Sequence, residues 1–133
     1  MNFTSPSRLR SRGFSLVELL VAVSIIGLIA FMAFPKVTSM RAESEKNVAI
    51  ARAEALNLAV ANMIQVRGRS QAALDWASKT DDQRYALVKD YLAFAETSLT
   101  LYLPSGYDVD FPNTLDRLTK VVLKDPAAAT IYY

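Results

Sequence analysis

Residues 14–34 read FSLVELLVAVSIIGLIAFMAF, and Glu18 is the only charged side chain among these twenty-one residues. As an α-helix this apolar stretch measures roughly 30 Å, which matches the hydrocarbon core of a bilayer. Thirteen of its residues are Leu, Ile, Val or Phe. At about −0.3 to −0.6 kcal/mol each, they outweigh a penalty of roughly 3 kcal/mol for one central carboxylate. The apolar stretch therefore predicts a membrane-spanning helix.

The residues on either side of the apolar stretch predict its orientation. Arg8, Arg10 and Arg12 precede it, and no acidic residue accompanies them. The positive-inside rule then places the N-terminus in the cytoplasm and the residues after Pro35 outside the inner membrane. The net charge of +2 depends on these arginines, because residues 14–133 carry 12 basic and 13 acidic side chains. The basic character therefore indicates membrane topology, and no nucleic-acid partner is predicted.

A secretory signal peptide is the alternative interpretation of this stretch. The apolar region of a signal peptide is normally about 7 to 15 residues long and ends at a small-x-small cleavage site. Ala22-Val23-Ser24 matches such a site. However, the apolar stretch is too long, and cleavage there would leave a strongly apolar N-terminus. We therefore favour a retained anchor.

The junction before the apolar stretch carries a specific pattern. Residues 12–20 read RGFSLVELL, so that a short basic leader is followed by Gly13, then Phe14, and then Glu18 four residues further on. This pattern resembles the class III leader and cleavage motif of type IV prepilins and type II secretion pseudopilins. The resemblance covers roughly residues 8–66. It implies cleavage by a prepilin peptidase after Gly13, methylation of the Phe14 amine by the same peptidase/N-methyltransferase, and a contact between Glu18 and a neighbouring subunit's N-terminus.

The resemblance also implies where the protein acts and with which partners. It implies a single-pass protein of the bacterial inner membrane with a periplasmic or other extracytoplasmic head, which later enters a pilus or pseudopilus. Its partners would be the lipid bilayer, an inner-membrane assembly platform, and other copies or related pilin subunits in a helical filament. Whether that filament belongs to type II secretion, a type IV pilus or a competence system stays open. No cofactor is expected.

Glu18 is costly in an apolar helix unless it has a partner. An unpaired carboxylate in such surroundings costs several kcal/mol, so ionisable residues in membrane spans usually have a partner and a function. After cleavage, the charged amine of Phe14 would lie four residues away, on the same chain or on a neighbour. The pair would then act as a register lock between subunits.

Gly27 and Pro35 extend the resemblance. In these families a glycine and a proline at corresponding places bracket a stretch that loses helicity in the filament. Pro35 removes one helical hydrogen bond, and Gly27 raises the cost of the helix by about 1 kcal/mol. The alternatives are close helix packing at Gly27 and a simple kink at Pro35.

The composition argues against an enzyme. The chain contains no cysteine and no histidine, which removes the commonest general base and the usual nucleophile pairs. Asp108, Asp110 and Asn113 offer oxygen ligands, but their spacing lacks the glycine and the distal glutamate of a calcium loop. A hydrolase that uses the two aspartates lacks an acid partner. Neither a metal site nor a catalytic residue is predicted.

Residues 36–66 contain neither Gly nor Pro and are rich in strong helix formers, so the helix should continue from the apolar stretch to about Val66. Gly68 should end it as a left-handed cap. Apolar and small residues at spacings of three and four predict the face that packs on the head, with Glu45, Arg52 and Glu54 on the other side. The residues of this predicted face are Val37, Met40, Ser44, Val48, Ala51, Ala55, Leu58, Asn62 and Val66.

Residues 67–133 predict a small helix-rich head with a short antiparallel sheet. One or two short helices should occupy residues 70–95, with Thr80 and Gln83 as a capping box. Alternating polar and apolar residues predict a β-hairpin from residues 98–103 and 107–111. After Pro112 the pattern fits either a short helix or a strand at Val121–Leu123, and the tail fits an edge strand.

These patterns divide the chain into four segments. We expect a leader at residues 1–13, a transmembrane and filament-core helix at residues 14–35, an amphipathic continuation at residues 36–66 and a globular head at residues 67–133. The predicted fold is α+β and pilin-like. The predicted function is a structural filament subunit, either a pseudopilin or a type IV pilin. The alternative is an unprocessed, membrane-anchored periplasmic binding module.

Overall fold

The structure, a computed structural model, describes residues 13–133. The chain divides into two compact units, Met1–Met40 and Arg41–Tyr133, and helix α1 (Leu16–Arg67) contributes residues to both. The basic leader residues Arg8, Arg10 and Arg12 lie outside the described residues.

The first unit contains the apolar part of α1. An 18-residue window within this apolar part has a mean hydropathy of 2.6, and no residue of that window is buried within the chain. In the part of the chain that the structure describes, α1 alone is long and apolar enough to cross a membrane. The hydroxyl of Ser24 donates to the carbonyl of Leu20 at 2.8 Å, so this polar group is satisfied within the helix.

In the second unit the head packs on a different face of α1 from the predicted one. Leu58 and Val66 of the predicted face are 63% and 72% exposed. Because the whole segment is rich in alanine, periodicity alone does not distinguish its two apolar faces. The face that packs on the head contains two large, fully buried side chains, Leu56 and Met63, and five residues that are smaller or less deeply buried. It consists of Ala49, Ala53, Leu56, Ala59, Val60, Met63 and Ile64.

Arg52 and Glu54, predicted to lie away from the head, both contact it. The guanidinium of Arg52 donates to the carbonyl of Tyr102 and lies over its ring, 5.4 Å from the centroid. The carboxylate of Glu54 binds Lys120 Nζ at 2.6 Å. Next to them Asn57 Oδ1 accepts the N–H of Val121 at 2.8 Å. These polar contacts fix the orientation of α1 against the head.

Short helices follow α1, as predicted. Helix α2 (Arg69–Trp76) begins after Gly68, whose φ of 80° is positive as expected but whose ψ of 146° is extended rather than left-handed helical. Helix α3 (Asp81–Val88) continues into a 3₁₀ turn (Lys89–Tyr91). The capping box of Thr80 and Gln83 at the start of α3 is confirmed, since both of its reciprocal bonds are present.

The first strand of the predicted hairpin is wrong. Residues 98–103 contain helix α4 (Leu99–Tyr102), and Ser98 caps it by accepting the N–H of Leu101 at 3.3 Å. The polar–apolar alternation suggested a strand, but Leu99, Tyr102 and Leu103 are the buried residues. Their spacing of three and four is that of a helix.

Three short strands form one antiparallel sheet in the order β1 (Asp108–Asp110), β2 (Val122–Lys124) and β3 (Thr130–Ile131). Leu123 pairs with Val109 on one side and with Ile131 on the other. The strand alternative for residues 121–123 is therefore confirmed over the helix, and so is the edge strand of the tail. Val109 and Leu123 are buried because both point from the sheet into the core.

Trp76 lies at the centre of the head's core and is fully buried. Its indole N–H donates to the carbonyl of Pro112 at 2.7 Å, and its ring packs edge-on against Phe111 with centroids 5.6 Å apart. The guanidinium of Arg84, 7% exposed, lies over the same indole and pairs with Asp81 at 3.2 Å. A long N-terminal helix, a small helical head and a three-stranded antiparallel sheet confirm the predicted α+β, pilin-like fold.

Candidate maturation and assembly site

The predicted cleavage junction lies just before the first turn of α1. Gly13, Phe14 and Ser15 precede the helix and are exposed, and Phe14 is 88% exposed. A Cβ atom added to Gly13 would meet no other atom within 4 Å. The chain's own packing therefore does not require glycine at this position, and a requirement for it would come from an enzyme that binds the junction.

The side chains of Ser15 and Glu18 cap the first turn of helix α1 by accepting hydrogen bonds from its backbone N–H groups. Glu18 Oε2 accepts the backbone N–H of Ser15 at 3.0 Å, and Ser15 Oγ accepts the N–H of Val17 at 3.3 Å. This is the reciprocal pattern of a capping box, with the hydroxyl bonded to the second N–H of the helix. Two N–H groups that have no partner within the helix are thereby satisfied in an apolar segment.

The capping contact gives Glu18 a partner within its own chain. The sequence pattern predicted that Glu18 contacts the Phe14 amine, and no role was predicted for Ser15. The signal was present, because Ser15-Leu16-Val17-Glu18 fits the S/T-x-x-E pattern directly before an apolar run. An acidic side chain is also favourable at this end of the helix dipole.

Gly27 and Pro35 line the same open groove on α1. Its volume is about 570 Å³ and its other lining residues are Ala30, Phe31 and Phe34. A Cβ atom on Gly27 would meet nothing within 4 Å, so the missing side chain leaves space on the helix surface that the chain itself does not fill. An apolar groove with a glycine at its floor is suited to the close approach of another helix.

Helix α1 continues through both Gly27 and Pro35. Pro35 has no N–H to donate to the preceding turn, so one helical hydrogen bond is missing there. The hydroxyl of Thr38 donates to the carbonyl of Pro35 at 2.9 Å. The segment is therefore helical in the single chain but has weaker internal bonding than its neighbours.

The oxygen-bearing residues of the head are engaged with protein groups. Asp108 Oδ1 accepts the N–H of Val109 at 2.9 Å, and Asp110 forms an ion pair with Lys124. This contact with Asp110 is the main cause that raises the pKa of Lys124. Asn113 Oδ1 accepts from the guanidinium of Arg84 at 3.4 Å. Among residues 13–133, no three His, Cys, Asp or Glu side chains are grouped so that they could hold a metal ion.

The N-terminal segment of the chain matches a known protein family. Residues 8–34 match the family described as the prokaryotic N-terminal methylation motif. The match includes Gly13, Phe14, Glu18 and Gly27 and ends one residue before Pro35. Comparisons with curated proteins and with solved structures returned no match.

The chain therefore carries the prepilin motif of type IV pilins and pseudopilins, as predicted. This motif supports the assignment of the chain as a type IV pilin-like substrate of a prepilin peptidase. Proteins that carry it are structural rather than enzymatic. The motif and the apolar part of α1 together fit membrane anchoring.

Proposed function

We propose that this protein is a structural subunit of a type IV pilus-like filament, as a pseudopilin of a type II secretion system or as a type IV pilin. One observation carries the proposal: an exposed Gly13–Phe14 junction, within the matched motif, directly precedes a capped apolar helix. Both filament systems, the type II secretion pseudopilus and the type IV pilus, fall within this proposal. The small head without cysteine favours a pseudopilin-like subunit over an adhesive tip.

The residues at the junction have separate roles in this proposal. The peptidase cleaves after Gly13 and methylates the amine of Phe14. Glu18 then pairs with that amine on a neighbouring subunit and aligns the two chains, because a buried carboxylate without a partner is costly. Gly27 and Pro35 bracket the part of α1 that can lose helicity when the filament forms, in keeping with the missing helical bond at Pro35.

The proposed topology follows from charge. Arg8, Arg10 and Arg12 hold the N-terminus in the cytoplasm, and the second unit lies outside the inner membrane. An inner-membrane assembly platform would then extract the processed subunit from the bilayer and add it to the filament.

Intact mass spectrometry of the protein from its native membrane tests the proposal. The expected product is a chain that starts at Phe14 and carries one added methyl group. A chain that starts at Met1 would contradict the filament role and would support an unprocessed, membrane-anchored binding module. Co-expression with a prepilin peptidase and with a catalytically inactive form of that enzyme provides the matched control.

A further inference from the structure

Helix α1 has a second apolar face in the second unit, and the head leaves it uncovered. Leu58 is 63% and Val66 is 72% exposed. At 3.6 residues per turn the face stays on one side of the helix over roughly 33 Å. An exposed apolar face on a helix is a candidate interaction site. Its members recur at spacings of three and four, and we call them the outer seam: Ser44, Val48, Ala51, Ala55, Leu58, Asn62 and Val66.

The outer seam has the shape of a helix-pairing surface. Leu58 and Val66 project from it, whereas Ala51 and Ala55 leave the backbone close to the surface. Small residues between large ones allow two such helices to approach, so that the large side chains of each pack between those of the other. Asn62 is a half-buried amide within the seam. A single Asn in an apolar helix seam pairs with its counterpart and sets the register of the two helices.

The charges beside the outer seam favour a second copy in parallel orientation. At about 100° per residue, Glu43 and Glu54 lie on one flank, and Arg41, Glu45 and Arg52 lie on the other. When two identical helices pair in parallel through the same face, each flank meets the opposite flank of its partner. Acidic side chains then meet the flank with net positive charge, whereas antiparallel pairing would bring like flanks together.

Contacts within the chain leave this complementarity in place. Lys120 of the head binds Glu54, but Glu43 forms no salt bridge within the described residues. Arg41 lies 3.4 Å from Glu45. Arg52 donates to a neutral carbonyl, that of Tyr102, and so retains its charge. One flank is therefore still acidic and the other still basic.

The head extends the apolar surface beside the outer seam. An open cavity of about 370 Å³ lies between Ala55 and the residues that follow the 3₁₀ turn, Leu92 and Phe94 among them. Phe94 is 90% exposed. A helix that docks on the seam would therefore also contact an apolar wall supplied by the head.

We propose that the outer seam binds a second copy of this chain through the same face of its helix α1, with the two helices parallel. The inference rests on the proposed function, because two copies anchored in one membrane share an orientation and a high local concentration. It adds a self-contact that involves the second unit and no residue of the apolar stretch.

A pair of single-cysteine variants tests the contact. Because the chain contains no cysteine, one introduced thiol reports one position. Leu58→Cys lies on the outer seam, and Leu118→Cys is its control, since the two leucines are 63% and 61% exposed. Leu118 lines a cavity together with Val60, which belongs to the buried face of α1. Mild oxidation of the full chain in its native membrane should yield a disulfide-linked dimer of Leu58→Cys, because parallel pairing brings the two Cβ atoms within disulfide reach. Leu118→Cys should yield none.

Several outcomes would overturn the seam contact. They are equal dimer formation by both variants, no dimer from Leu58→Cys, and a linked product with the mass of a different protein. A further variant, Leu58→Arg combined with Val66→Cys, should lose the dimer that Val66→Cys forms alone. Intact mass of the same samples separates the two proposals. A processed chain without the seam dimer rejects the seam alone, whereas an unprocessed chain that forms the dimer rejects the filament role alone.

Discussion

The carboxylate of Glu18 accepts the backbone N–H of Ser15 at 3.0 Å, so the single charge of the apolar stretch is bonded to the first turn of its own helix. Both residues follow the predicted cleavage site, and the bond can therefore persist after the leader is removed. Glu18 thus has two separable tasks. It caps α1 in the single chain, and we propose that its charge pairs with an amine in the filament.

Two substitutions of Glu18 distinguish the cap from the charge. Glu18→Gln keeps an oxygen for the N–H of Ser15 but removes the charge, whereas Glu18→Ala removes both. We expect both variants to be cleaved after Gly13. Both should lose most of their filament yield, because the proposed ion pair in the filament needs the charge of Glu18. Sedimentation measures the filaments, and intact mass measures cleavage. Filaments of Glu18→Gln at the wild-type yield would show that assembly needs only the cap.

Substitution of Gly13 tests what the peptidase requires. The space around Gly13 is open, so Gly13→Leu should leave the fold unchanged. We expect this variant to keep its leader, because the added side chain would enter the enzyme's binding site for the junction. Gly27→Ala is the control, since its added Cβ also meets no atom within 4 Å, and it should be cleaved normally. Cleavage of Gly13→Leu at the wild-type rate would contradict the assigned junction.

Leu56 and Leu58 lie two residues apart on α1 and test which face packs on the head. Leu56 is fully buried and Leu58 is 63% exposed. Leu56→Ala should destabilise the head by about 2–5 kcal/mol through loss of burial and the cavity left behind. Leu58→Ala should change stability by about 0.5 kcal/mol or less. Trp76 is the only tryptophan and is buried, so its fluorescence during denaturant unfolding of the full chain in detergent gives both values. The reverse order would support the face predicted from sequence.

Features specified by neighbouring residues were predictable from the sequence. The apolar stretch, the Gly13–Phe14 motif and the capping box of Thr80 and Gln83 each depend on a few consecutive side chains. The capping role of Ser15 belongs to the same class and had a visible signal. Local rules state which groups need a partner at a helix end, so the pattern alone identifies the bond.

Features that depend on distant residues were not predictable. The choice of the Leu56 face over the Leu58 face depends on partners such as Val121, which Asn57 contacts 64 positions away. Helix α4 was mistaken for a strand because a one-turn helix is too short for its period to show. The burial of Arg84 against Trp76 depends on how α2 and α3 meet, and charge patterns in the sequence do not report such a packing.

Two glycines with positive φ differ in what surrounds them. A Cβ on Gly106 (φ 85°) would lie 3.1 Å from side-chain atoms of Pro126, whereas one on Gly68 (φ 80°) would meet nothing within 4 Å. Gly68→Ala should therefore cost only the backbone term, about 1–3 kcal/mol, because a positive φ with an extended ψ of 146° is a conformation that residues other than glycine rarely adopt. Gly106→Ala should cost more, because Pro126 must also move. Denaturant midpoints followed by Trp76 fluorescence compare the two, and equal losses would show that the loop around Pro126 yields without cost.

The ion pair between Glu54 and Lys120 predicts how acid affects the docking of the head on α1. The hydrogen bond from Lys120, and a smaller one from Asn57, lower the pKa of the Glu54 carboxyl. A carboxyl with a lowered folded-state pKa stabilises the fold above its ordinary pKa, and this contribution is lost as the pH falls through the lowered value. The stability difference between the wild type and Glu54→Gln should thus be present at pH 7, begin to fall near the ordinary glutamate pKa of about 4.3, and vanish once the pH is below the lowered pKa of Glu54. It should be small, since both side chains are about half exposed. Thermal unfolding followed by Trp76 fluorescence across this range measures the difference. A difference that stays the same as the pH falls would mean that Glu54 stabilises the head through its packing rather than its charge.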